Sequence, residues 1–188
     1  MSAALETLIR QHLTRRDDEG TLRLSRSLRG ALARGHLSRS ELEAVCYWKS
    51  PRAIRHIRSN SSSRVRAATA AALATRSERR RLEALLVLRG VSVPMASAVL
   101  TLLRPRRYGV IDIRVWQVLH AMGFVESNAG GRGFTFAHWS RFLDVLRGSS
   151  KRLRVSVRAV ERALFAAHRA RQSGALYAMG NRYRPRPR

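Results

Sequence analysis

Asp112 is the residue at which this sequence is best placed to do chemistry. It is the only carboxylate between Glu83 and Glu126, lies 18 residues after Pro94, and follows Val110 and Ile111 where a helix is expected to open. An aspartate there accepts hydrogen bonds from the first backbone N–H groups, and the helix dipole favours its anionic form. Held in place, such a carboxylate can stabilise a developing positive charge and orient water. The commoner role of an aspartate at this position is the cap alone.

Upstream, the stretch 82–103 reads as two apolar helices joined by the turn Gly90-Val91-Ser92-Val93, with the second helix expected from Pro94. Backbone N–H groups at such a start carry positive partial charge and suit a phosphate. A turn with no charged side chain of its own can therefore hold a nucleic-acid backbone without reading bases. Gly90, Val91, Ser92, Val93, Met95 and Ala96 are the candidate contact residues.

Aromatic side chains are the remaining candidates. Trp116 lies one turn after Asp112 on the same side of its helix and is a candidate wall for a base pocket. Tyr47, Trp48, His120 and Trp139 are further pocket or intercalation candidates. The other histidines show no metal-ligand spacing, and no Walker loop, dinucleotide fingerprint or nucleophile elbow is present. One cysteine, Cys46, excludes an internal disulfide and any four-cysteine iron–sulfur or zinc site within the chain.

The hairpin and the aspartate together resemble the helix-hairpin-helix DNA glycosylase superfamily, the endonuclease III-like group. That family's hairpin reads L-x-G-V-G-x-x-x-A, matched here by Leu88, Gly90, Val91 and Ala96, and its V/I-D-x-x-V context by Ile111, Asp112 and Val115. The resemblance implies an all-α, two-lobed helical bundle, with duplex DNA as partner and Asp112 as the catalytic carboxylate. It also implies a monovalent cation held by the carbonyls of Gly90, Val91 and Val93, and no side-chain metal site. Two positions depart from the pattern. Ser92 replaces the second glycine, and Pro94 stands where bifunctional members carry the lysine that forms a Schiff base. Proline has no amine, so the resemblance implies a monofunctional glycosylase without iron–sulfur cofactor. Lys49 is the only other amine considered.

The elements that must position these residues read as nine or ten short helices with no sheet, almost every segment repeating near 3.6 residues. Expected helices include one from about residue 22 to 32 ending at Gly35, one opened by a Ser38–Glu41 capping box with a Leu37–Leu42 staple, and others capped by Ser77, Thr135 and Ser156. Leu5, Leu8, Ile9 and Leu13 are expected to face inward, as are Leu82, Leu85, Leu86 and Leu88. Residues 59–63 read as a polar joint, 111–122 as the aspartate's helix, and 128–133 as a glycine-rich loop. Residues 1–171 form the expected helical domain of two lobes, and 172–188 a mobile basic tail.

The chain has 188 residues, 45% of them hydrophobic, enough for a sizeable core, and 37 Lys plus Arg against 12 Asp plus Glu, a formal charge of +25. Only Lys49 and Lys151 are lysines, so arginine supplies the other 35. Such an excess points to a polyanionic partner. No targeting segment is visible, and Arg89, Gly90 and Pro94 interrupt the one apolar stretch where a membrane span could lie. A cytoplasmic, nucleoid-associated monomer is expected. The leading expectation is a base-excising enzyme, the alternative a non-catalytic helix-hairpin-helix DNA-binding protein, and a third an RNA-binding protein selected for its arginines.

Overall fold

A computed structural model describes residues 3–14 and 16–172. In chain order they form α1 (Ala3–His12), α2 (Glu19–Ser27), α3 (Arg29–Arg34), α4 (Arg39–Lys49), a 3-10 turn (Pro51–Ala53), α5 (Ile54–Arg58), α6 (Ser62–Ala74), α7 (Glu78–Leu86), α8 (Val93–Leu103), α9 (Ile113–Ala121), α10 (Phe136–Leu153) and α11 (Val157–Arg171). Among the described residues the chain is all helical, with no strand. Of the tail expected at 172–188, only Gln172 falls among them. The chain divides into two compact units, one of residues 17–110 and the other containing residues up to 16 and from 111 onward.

Local capping chemistry sets most helix starts. Asp18, Ser38, Ser61, Ser77, Asp112, Thr135 and Ser156 each accept a hydrogen bond from the backbone N–H three residues on. Ser38 with Glu41 forms the expected capping box, and Leu37 and Leu42 are both fully buried, as a staple requires. The expected helix at 22–32 is instead two helices that meet at Leu28, which is buried.

In the 17–110 unit, α8 is the central element. Every residue from Met95 to Leu103 is buried, so this helix has no solvent face and packs against α2, α3, α4 and α7. Its two hydroxyls are turned back on the helix, Ser97 Oγ donating to Pro94 O at 2.8 Å and Thr101 Oγ1 to Ser97 O at 2.7 Å. Each fully buried Val, Leu or Met side chain contributes roughly 1.5–3 kcal/mol, which makes this helix the main anchor of the hairpin it belongs to. Arg81, only 2% exposed, donates to the carbonyls of Ala72 and Thr75 and so closes the end of α6.

In the other unit, α11 packs on α1, α9 and α10. Trp139, Phe142, Leu143 and Leu146 form the inner face of α10. Polar ties add to this packing: Arg152 pairs with Glu6, Arg162 donates to Thr14 O at 2.7 Å, and His168 meets Gln117 Oε1 at 2.9 Å. Two residues expected inside are not. Leu13 lies past the end of α1, and Leu86 is on the last turn of α7; they are 38% and 37% exposed. The 3.6-residue repeat places both on the apolar face, but helix ends run out of neighbours to cover them.

Candidate functional site

The hairpin of the 17–110 unit turns between α7 and α8. Gly90 is left-handed at φ +80, and a Cβ there would lie 2.9 Å from His56 Cβ, 3.1 Å from Ile57 N and 3.2 Å from Ala53 O. The position therefore needs glycine both for its conformation and for the close approach of α5. Val91 N donates to Leu88 O at 3.1 Å and completes the turn.

Asn60 holds this turn from the side. Its Oδ1 accepts from Arg89 N at 2.9 Å, and its Nδ2 donates to Arg89 O at 3.0 Å and to Ile57 O at 2.9 Å. At 2% exposure it is a buried amide with both ends satisfied, so it acts as a two-point clamp on the backbone of residue 89. Arg64 adds a bond to Val87 O at 2.7 Å. Residues 59–63, read from sequence as a polar joint, thus contain the turn's main support.

At the start of α8 the expected glycine departure is harmless: Ser92 has φ −91, an ordinary extended conformation, and serves as N-cap. The helix begins at Val93 rather than at Pro94, which takes the second position and brings no N–H of its own. Ser92 makes no side-chain cap bond, unlike every other Ser, Thr or Asp that opens an α-helix among the described residues. The first N–H groups of α8 are thus left without a side-chain acceptor. Of the six expected contact residues, Val91, Val93, Met95 and Ala96 bury their side chains, Gly90 is half-buried and Ser92 is exposed. Apart from the Ser92 hydroxyl, contacts made by residues 90–96 are therefore backbone contacts. Arg55, His56 and Arg89 are exposed on α5 and on the turn itself.

Asp112 caps α9 in the other unit. It is half-buried, extended at φ −144 and ψ 169, and its Oδ1 accepts from Val115 N at 3.0 Å. Its negative charge is felt by His168, whose proton affinity is pushed down by burial and by the Arg114 charge and partly restored by Asp112. The Arg114 guanidinium itself lies over the Phe165 ring, 5.1 Å from its centroid.

The expected aromatic set is dispersed. Trp116 is 1% exposed, and its indole N–H donates to Asn128 O at 2.8 Å, fixing the glycine-rich loop onto α9. A Cβ on Gly131, at φ +64, would lie 3.1 Å from Ile113 Cα, so this loop approaches α9 closely. Trp116 does line a cavity of about 440 Å³, with Phe124, Val125, Glu126, Ser127, Ala137, His138 and Arg141. His120 is not among those lining residues. Trp48 and Tyr47 belong to the 17–110 unit: Trp48 Nε1 donates to Thr21 Oγ1 at 2.8 Å, and Tyr47, 51% exposed, accepts from Arg58 at 3.0 Å. Trp139 is fully buried in the core, which removes it as an intercalating side chain.

No family model, no curated protein and no solved structure matches this chain. Among the described residues no group of three or more His, Cys, Asp or Glu is placed to hold a metal ion, and no helix is long and apolar enough to cross a membrane.

Proposed function

We propose that the protein binds duplex DNA through the 82–103 hairpin and excises a damaged or mismatched base as a monofunctional glycosylase, with Asp112 as its catalytic carboxylate. The observation that carries the binding half is the uncapped start of α8: a rigidly clamped turn whose residues 90–93 carry no charge and whose N–H groups lack a side-chain acceptor, beside exposed Arg55, His56 and Arg89. A phosphate oxygen supplies the missing acceptor.

The excision half rests on the position of Asp112 and on its resemblance to a catalytic aspartate. In the reaction the C1′–N bond breaks, its electron pair leaves with the base, and positive charge builds on the deoxyribose. Asp112 stabilises that charge, and a water oxygen then bonds to C1′ while its proton passes through Asp112 to the departing base anion. The base must leave the stack first, at a cost of a few kcal/mol that is least for damaged or mismatched pairs. Pro94 supplies no amine, so no Schiff base forms at that position and the strand is left intact. Carbonyls of Gly90, Val91 and Val93 are the groups that would hold a monovalent cation in the turn.

A second reading has an observation of its own. Asp112 already caps α9 by accepting from Val115 N–H, a sufficient structural reason for an aspartate there, which favours a non-catalytic DNA-binding protein. Duplexes carrying a panel of damaged bases, scored for strand breaks with and without hot alkali, decide between the two. Breaks that require alkali and disappear in Asp112→Asn support excision. Tight, salt-dependent binding with no lesion processed supports the binding protein.

A further inference from the structure

We propose that the cavity lined by Trp116, Phe124, Glu126, Ser127, His138 and Arg141 is a binding site for a 6-oxopurine ring, the base class of guanine and hypoxanthine. This inference takes from the proposed function only that the protein works on nucleic acid. The cavity lies wholly within the unit that contains α9 and α10, and its volume of about 440 Å³ is in the range of small-ligand sites.

Its walls are built and fixed. Trp116 is tied by its N–H to Asn128 O, Arg141 Nε donates to Phe124 O at 3.1 Å, and His138 Nδ1 accepts from Thr135 N at 3.0 Å. Trp116 and His138 pack edge to face, with ring centroids 5.3 Å apart. Each of these bonds uses one end of a side chain and leaves the other end over. With Nδ1 accepting, the neutral imidazole of His138 carries its proton on Nε2, a donor. Arg141 keeps both terminal nitrogens as donors.

The acid in the cavity is the informative group. Seven of the eight glutamates, at 6, 19, 41, 43, 78, 83 and 161, are ion-paired to an arginine, as expected where bases outnumber acids threefold. Glu126 is the eighth; among the described residues it has no such partner, although Arg141 lines the same cavity. An acceptor and a fork of donors that share a cavity without closing on each other fit a ligand that presents both functions.

A 6-oxopurine does so on two adjacent edges that meet at O6. Its O6 and N7 accept from the two terminal nitrogens of an arginine, and its adjacent N1–H donates to a carboxylate. The apolar and aromatic walls of Trp116, Phe124 and Val125 suit a flat heterocycle. Adenine fits less well, because its N1 is an acceptor facing Glu126 and its 6-amino group a donor facing Arg141.

Titration of the intact protein with inosine, with 1-methylinosine and with adenosine, followed by calorimetry and by saturation-transfer NMR, tests this. Inosine is expected to bind saturably, and 1-methylinosine and adenosine at least ~10-fold more weakly, since each leaves a charged hydrogen-bonding group unmatched. Glu126→Gln and Arg141→Gln should each lower inosine affinity ~10-fold, with melting unchanged for the exposed Glu126 and lowered only slightly for Arg141, which loses its bond to Phe124 O. Equal affinity for all three nucleosides, no saturable inosine binding, or indifference to both cavity variants overturns the proposal. Failure here with lesion excision intact leaves the proposed function standing; inosine binding without excision on any duplex does the reverse.

Discussion

The two units treat their polar groups in opposite ways. Around the hairpin turn of the 17–110 unit the side chains are used up: Asn60 satisfies both ends of its amide on backbone groups, and Arg64 is tied to Val87 O. What is left to meet a ligand there is the backbone start of α8, with the exposed charges of Arg55 and Arg89 beside it. In the other unit the cavity beside Trp116 keeps side-chain capacity in reserve, at Glu126, His138 and Arg141. The difference separates two kinds of recognition. A turn that offers backbone N–H groups and flanking arginines can hold phosphates of any sequence, whereas a wall of unmatched side chains can discriminate among heterocycles.

The largest effect expected from breaking this contrast is at Asp112. Asparagine keeps the capping oxygen, so Asp112→Asn should change melting by little, since Asn and Asp are near-equivalent N-caps. Excision of a damaged base should nevertheless fall by on the order of 10²–10⁴, because the neutral amide stabilises no positive charge. Single-turnover kinetics at saturating enzyme measure this. Full activity in the variant would leave Asp112 as a cap only.

Next in size is the hairpin itself. Gly90→Ala should cost about 2–4 kcal/mol, the sum of a left-handed alanine and of contacts near 3 Å with α5, and should be seen as a lower melting temperature together with weaker duplex binding. Asn60→Ala should cost about 2 kcal/mol by unclamping Arg89, and weaken duplex binding without touching inosine binding at the cavity. If Asn60→Ala loosened both ligands equally, the two sites would not be independent.

Acid should distinguish the units as well. Burial, together with the Arg114 charge and against the pull of Asp112, holds the His168 imidazole below its ordinary value. An unfolded histidine takes up its proton first as pH falls, so the stability from neutral His168 is present above the ordinary imidazole value of about 6.5 and is lost as pH falls toward the folded value. The slope is at most about 1.4 kcal/mol per pH unit. In the 17–110 unit the groups held low are carboxyls. Hydrogen bonds from the Thr21 hydroxyl and N–H lower Asp18; burial would raise Glu41, but Arg34 and the Ser38 N–H outweigh it. Their contribution is present above the ordinary carboxylate range and lost only below it. Hydrogen exchange followed from pH 7 to pH 4 should therefore show α9 and α11 loosening before α2 and α4, and His168→Gln should remove that early step.

Much of the scaffold was legible because it is local. Ser38 with Glu41, and Ser77, Thr135 and Ser156, announce helix starts through a side chain and an N–H three residues apart, and Gly90 and Asp112 were singled out by the same short-range logic. What escaped depends on distance along the chain. Asn60 reads as one polar residue among serines, because its partner is residue 89; only the fold brings them together. Leu13 and Leu86 fit the apolar repeat but sit where no neighbour arrives. The cavity gathers residues 116, 124–127, 137, 138 and 141 from two helices and a loop, so Trp116 could be suspected while Glu126 and Arg141 could not. A Thr135-x-x-His138 pair in capping-box spacing was the one available signal for His138.

The smallest effect is also the one that tests whether the basic surface is divided as the two units suggest. Each phosphate neutralised on duplex DNA releases condensed counterions and adds about 0.9 to the slope of log K against log salt. Arg55 and Arg89 are exposed on α5 and on the hairpin turn, so Arg55→Gln and Arg89→Gln should each reduce that slope by about 1 while weakening binding alike on all sequences. Arg141 is also exposed and charged, but it is committed by its Nε to Phe124 O beside the cavity. Arg141→Gln should therefore leave the salt slope of duplex binding unchanged and alter only the preference among bases. Fluorescence anisotropy on one undamaged duplex across a salt series is sufficient. Equal slope losses for all three variants would mean that phosphates are held by diffuse charge over both units, and that the uncapped start of α8 has no special part in binding.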